Sequence, residues 1–224
     1  MPYQLSPTTL QLFVNCPRCF WLQFRRQVHR PRGIFPSLPG GMDSVIKVYY
    51  DRYRSQNEMP PELEGRVRGR LVADQALMDQ WRNWRTGLRY VDEQRQATLF
   101  GALDDCLQNG ELFVPLDYKT RGYAPKPGES QRYYGLQLNC YAWLLAANGF
   151  PAANYGYLVY YYPHSVFANG SVKFGVEPVE IPVSAEDGRR VFERAVDCLA
   201  GDEPAAHTKC EYCGCANQLE EEFD

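Results

Sequence analysis

Residues 99–120 read LFGALDDCLQNGELFVPLDYKT. Apolar residues alternate along 97–107 and again along 112–118, with Asn109-Gly110 between them. This pattern predicts two antiparallel strands joined by a tight turn. Side chains on a strand alternate between its faces, so Asp117 and Lys119 project to one side and Tyr118 to the other. Asp104, on the neighbouring strand, is expected to face the first pair. Two carboxylates and an ammonium at one spot of a half-buried sheet are costly unless a cation shares the carboxylates.

The remaining composition sets the class. The chain has 224 residues, enough to bury a substantial core, with 45% apolar residues and a formal charge of −3, as expected of a globular protein. No apolar run reaches the roughly 18 residues of a membrane span, and no signal-peptide centre opens the chain, so the expected compartment is cytoplasmic with no membrane partner. Charge is unevenly spread. Residues 1–42 hold Arg18, Arg25, Arg26, Arg30 and Arg32 and no acid, whereas the end from Asp202 is acidic apart from Lys209. Such a basic face either neutralises phosphates or is simply solvated.

Ser6-Pro7 is a helix opening, and a break is expected at Cys16-Pro17 before a second helix to about Gln27. Residues 30–41 read as a loop, and a helix is expected over about 42–54. The segment 62–87 is ambiguous, with a helix around 73–84; its Arg66, Arg68 and Arg70 either touch nucleic acid or face solvent. After a Gly/Pro-rich loop at 121–129, apolar spacing predicts a helix over 131–148. Strands at 154–162 and 171–183 follow, then a helix opened by Ser184 with Asp187 and running to about Leu199.

Chemistry follows from these placements. Asp104 and Asp117 supply hard oxygen ligands suited to Mg²⁺ or Mn²⁺, and the Tyr118 carbonyl offers a third. Lys119 can orient an attacking water or stabilise the transition state of phosphodiester hydrolysis. Gln137 and Tyr141, four apart, share one face of the following helix. His29, His164 and His207 show no paired spacing and receive no role.

The sequence resembles the PD-(D/E)XK nuclease superfamily, in its RecB-like exonuclease branch related to the iron-sulfur CRISPR-associated nucleases. The family's Gly-x-x-Asp appears as Gly101 to Asp104, its Asp-x-Lys as Asp117-Tyr118-Lys119, and its Gln-x-x-x-Tyr as Gln137 to Tyr141. The resemblance implies an α/β fold with a central mixed β-sheet flanked by helices, a restriction-endonuclease-like core, in a single domain over residues 1–224. The implied activity is a metal-dependent deoxyribonuclease with Asp104, Asp117, Lys119, Gln137 and Tyr141 in its site, a RecB-like exonuclease acting on single-stranded or open DNA ends. Some members of the family also place a histidine or acid from an early helix in the site; Asp43 and nearby Lys47, after Gly40-Gly41, match that pattern poorly and are assigned no role. No helicase motif is present, so unwinding would need a helicase or other DNA-processing partner. The competing reading is a catalytically inactive nucleic-acid-binding or scaffold protein that keeps the fold. DNA repair, phage replication and CRISPR adaptation are the candidate settings.

Eight cysteines in a chain without an export signal point to metal binding more than to disulfides. The resemblance implies that the N-terminal helices (about 6–27) and the C-terminal tail (about 200–215) share a 4Fe-4S cluster on Cys16, Cys210, Cys213 and Cys215. Cys19 offers another fourth ligand. It would form Cys16-x-x-Cys19 with Cys210-x-x-Cys213, a four-thiolate set that Zn²⁺ also accepts. Cys106, Cys140 and Cys198 are expected as buried small hydrophobes.

Overall fold

The computed structural model describes residues 2–31, 33 and 37–213. In chain order the elements are β1 (Tyr3–Leu5), α1 (Pro7–Asn15), α2 (Pro17–Trp21), a π-helical turn (Leu22–Arg26), α3 (Ser37–Ser55), β2 (Arg70–Leu71), α4 (Gln75–Arg82), β3 (Leu88–Asp92), β4 (Ala97–Gly101), β5 (Asp105–Asn109), β6 (Leu112–Thr120), α5 (Glu129–Ala147), β7 (Tyr155–Val166), β8 (Val172–Pro182) and α6 (Ala185–Ala200). A five-stranded mixed sheet runs β2-β5-β6-β7-β8, antiparallel except for the parallel pair β6–β7, and a smaller sheet runs β1-β4-β3. The parallel step is bridged by α5, the crossover such a step requires.

The hairpin forms, but the strand expected over 97–107 is split. Its first half, β4, belongs to the small sheet, and only β5 pairs with β6. Between them the backbone turns away so that Leu103 enters the core, its N–H donating to Trp81 O at 3.0 Å. Asp104 therefore sits at the joint between two sheets and not on a strand. The turn is also displaced by one residue. Asn109 pairs with Leu112, leaving Gly110-Glu111 as the two turn residues, and Gly110 takes a φ of +61°, which glycine adopts without strain.

Strand β6 is buried on both faces. Leu116 and Tyr118 pack with Ile46 and Tyr50 of α3, while the opposite face of the sheet meets α5, which packs in turn with α1 and α6. The helix signals act as read. Ser6 caps α1 in a reciprocal box with Thr9, Cys16 caps α2, and Ser184 accepts from Asp187 N at 3.1 Å at the head of α6. Helix α3 starts at Ser37, inside the segment expected as a loop. Pro39 falls in its first turn, where a missing N–H costs no hydrogen bond. Strands β1 to β3 are short and carry little periodicity, so no local pattern announces them. Among the described residues no helix is long and apolar enough to cross a membrane.

The side of β5 that faces α3 carries Asp105, a residue the sequence reading passed over. Its carboxylate is wholly buried and takes Arg54 Nη2 at 2.6 and 2.7 Å, Arg82 Nη2 at 2.8 Å, Tyr118 Oη at 2.6 Å and Cys106 N at 2.8 Å. Arg82 also grips both oxygens of Asp51 at 2.8 Å and the backbone carbonyl of Asp104 at 2.8 Å. Arg54 donates as well to the Val72 carbonyl. This cluster ties α3, α4 and β5 together behind the residue that precedes it. The other arginines considered for nucleic acid engage the chain itself: Arg66 binds the Val176 carbonyl, Arg68 binds Glu180, and Arg70 binds the Asn57 carbonyl.

Breaking one arm of the buried cluster leaves Asp105 undercompensated. Arg54→Met is expected to lower unfolding free energy by about 3–5 kcal/mol in urea titration. Arg68→Ala, at an exposed pair, should change it far less. Equal effects would show that the cluster does not secure the fold.

Candidate active site and cysteine centre

The centre of β6 delivers Asp117 into the space beneath α5. Asp117 is 1% exposed. Its Oδ1 accepts from Gln137 Nε2 at 2.8 Å, and its Oδ2 lies 2.5 Å from Lys119 Nζ without hydrogen-bond geometry. Lys119 Nζ donates to Gln137 Oε1 at 3.0 Å and sits 4.4 Å from the Tyr134 ring centre. Gln137 is thus held at both ends of its amide, and its Nε2 also reaches Tyr141 Oη at 2.9 Å. The expected set of Asp117, Lys119, Gln137 and Tyr141 comes together.

Asp104 completes it from the sheet joint. Its Oδ2 accepts from Tyr118 N at 3.1 Å, so a backbone donor from β6 fixes it beside Asp117. Gly101, three residues earlier, explains its own place in the motif: a Cβ there would meet Leu144 at 2.7 Å and the Tyr141 ring at 3.2 Å. A side chain at 101 would have to displace Leu144 and the Tyr141 ring, which holds Gln137. Tyr118 turns its side chain to the other face, as the strand period requires.

Two further residues enter from α3. Lys47 Nζ bridges Asp43 at 2.8 Å and Asp104 Oδ1 at 3.0 Å. The resemblance had marked this part of the early helix, but the match was poor and no local pattern shows which face of α3 meets the β4–β5 joint. Burial alone would lower the Lys47 and Lys119 ammoniums; the neighbouring aspartates outweigh it and hold both above their ordinary values. Asp117 moves the other way from a simple ion pair. Burial, then the charge of Asp104, push it up to about 7 against the pull of Lys119.

At the other end of the chain segments, Cys16, Cys19, Cys210 and Cys213 are all buried, and their sulfurs lie within 4.8 Å of one another. This set can hold a metal. Cys19 is the fourth described member; Cys215 lies outside the described residues. Cys19 N donates to Cys16 Sγ at 3.4 Å, and Arg30 Nη2 to Cys210 Sγ at 3.2 Å. Arg18 meets Glu203 at 2.8 Å, so part of the N-terminal positive charge is spent on the acidic C-terminal segment. Cys106 and Cys140 are buried as expected, and Cys198 is half-buried.

Residues 43–218 match the model of the PD-(D/E)XK nuclease superfamily. The chain belongs to the PD-(D/E)XK nuclease superfamily. No curated protein matches it. The match starts within α3 at Asp43, so Cys16 and Cys19 lie outside it and Cys210 and Cys213 inside. Nucleases of this superfamily use divalent metals, and the acidic pair here fits one on its own terms. Two adjacent carboxylates, one of them wholly buried and countered mainly by a single ammonium, form an arrangement that a hard cation relieves.

That fit predicts a pH signature. A carboxyl whose folded pKa lies above its unfolded value of about 3.9 favours the folded state at low pH and loses that contribution as pH rises through its folded value. A bound cation requires the ionised form, so its apparent affinity should fall by up to about tenfold per pH unit below 7. Mn²⁺ is therefore expected to raise the thermal midpoint more at pH 8 than at pH 6 in scanning calorimetry. Equal shifts at both pH values would remove Asp117 from the ligand set.

Proposed function

We propose that this PD-(D/E)XK nuclease hydrolyses phosphodiester bonds in DNA as a RecB-like exonuclease acting on single-stranded or open ends. The observation that carries the reading is the continuous contact from Lys119 through Gln137 to Asp117, with Asp104 alongside. Asp104 and Asp117, with the Tyr118 carbonyl, would hold Mg²⁺ or Mn²⁺. When bound, such an ion polarises the scissile phosphate and lowers the pKa of a water. The two aspartates hold the Lys119 ammonium above its ordinary value, so it can set a positive charge against the phosphate oxygens or orient the attacking water. Gln137 sets the direction of that ammonium, and Tyr141 sets Gln137.

Access to the site supports an unpaired strand. A groove of about 290 Å³ beside Lys119 and Gln137 is lined by Pro7, Thr8, Gln11, Tyr133 and Tyr134. Tyr133 is exposed there, and an aromatic face next to a cation suits a stacked base followed by a phosphate. Nearby, the Arg121 guanidinium lies 4.5 Å from the ring centre of exposed Tyr123. Unwinding of a duplex would fall to a helicase or other DNA-processing partner.

Lys119→Ala is expected to reduce Mg²⁺-dependent cleavage by about 10²-fold or more, with DNA binding retained in a fluorescence-anisotropy titration. Undiminished cleavage would end the assignment. On the native chain, linear single-stranded DNA should be degraded and circular single-stranded DNA spared. Equal cleavage of both would exclude exonuclease action, and binding without cleavage under Mg²⁺ or Mn²⁺ would favour the scaffold reading.

A further inference from the structure

We propose that the cysteine centre holds a single tetrahedral zinc ion on Cys16, Cys19, Cys210 and Cys213, and that it does not take the four-iron cluster of the branch this chain resembles. The reason is the spacing of the sulfurs. Cys16 and Cys213 are 3.5 Å apart, Cys19 and Cys210 3.6 Å, and Cys19 and Cys213 3.9 Å. Four thiolates around one ion at a Zn–S distance of about 2.3 Å form a tetrahedron with edges of about 3.8 Å. A four-iron cube binds each thiolate at a separate iron on its outer corners, so its four sulfurs must stand much farther apart, with the irons and sulfides between them. Sulfurs confined within 4.8 Å of one another leave no room for that core.

The surroundings agree with a closed structural site. All four cysteines are buried, which leaves no open coordination position of the kind a catalytic zinc keeps. The ligands come as two Cys-x-x-Cys pairs, one at the joint of α1 and α2 and one in the C-terminal segment. A zinc tetrathiolate carries two negative charges. Arg30 offsets part of this, with its guanidinium 3.2 Å from Cys210 Sγ and stacked 4.6 Å from the Tyr212 ring centre. The consequence reaches the substrate groove. Helix α1 ends at Cys16 while its first turns supply Pro7, Thr8 and Gln11 to the groove beside Lys119, so the ion pins one wall of that groove to the far end of the described chain.

The full chain, purified anaerobically from cells grown with both iron and zinc, tests this by elemental analysis, sulfide assay and visible absorption. One zinc per chain is expected, with no acid-labile sulfide and no visible chromophore; replacement by Co²⁺ should give the absorption of a tetrahedral tetrathiolate. Cys19→Ser should lose the zinc and Cys215→Ser should keep it. Iron with sulfide, a single iron, or a metal-free chain would each overturn the proposal, as would a Cys19→Ser variant with undiminished zinc. None of these readouts involves DNA cleavage, so the outcome is separate from that of the nuclease reading.

Discussion

A carboxylate buried at the middle of a central strand is the constraint on which this architecture turns. Asp117 has sheet on both sides, α3 beneath and α5 above, and water cannot solvate it. The protein places Lys119 against one oxygen and Gln137 against the other, yet burial and the second aspartate still push the carboxyl up to about 7. An arrangement this unfavourable makes sense in a site that a cation completes. Stability is given up locally and recovered elsewhere, in the aromatic and aliphatic core on both faces of the sheet.

Much of the surrounding structure serves to hold that arrangement still. Asp104 lies on an irregular joint, a poor place for a precise ligand unless something fixes it. Three contacts do: the Tyr118 N–H on its carboxylate, Lys47 on its other oxygen, and Arg82 on its backbone carbonyl. Arg82 is itself locked by Asp51 and Asp105. The buried ionic cluster is thus a support for the joint that carries Asp104 as well as a fold element. Adjacent aspartates have opposite assignments: Asp104, on the joint, lies beside Asp117, and Asp105, the first residue of β5, faces the cluster.

The cysteine centre does comparable work at longer range. Contacts between residues about 190 positions apart are entropically expensive to form, and an ion held by these four cysteines would offset that cost by binding only the folded arrangement. It also gives purpose to the separated charge blocks. Arg18 and Arg30 of the basic N-terminal segment meet Glu203 and Cys210 of the other end.

The sequence by itself determined the hairpin, the long helix behind it, the helix caps and the order of the acidic pair, lysine, glutamine and tyrosine, because each is written in local periodicity or in motif spacing. It also marked Cys16, Cys19, Cys210 and Cys213 as candidates. Only the tertiary structure decided that the strand breaks before Asp104, that Asp43 and Lys47 reach the site, and that Asp105 anchors a buried cluster. It also brought the Cys19 sulfur to 3.6 and 3.9 Å from those of the C-terminal pair. The physical reason is common to all four: each depends on contacts between elements remote in sequence, and no local pattern records which face of one element will meet which face of another.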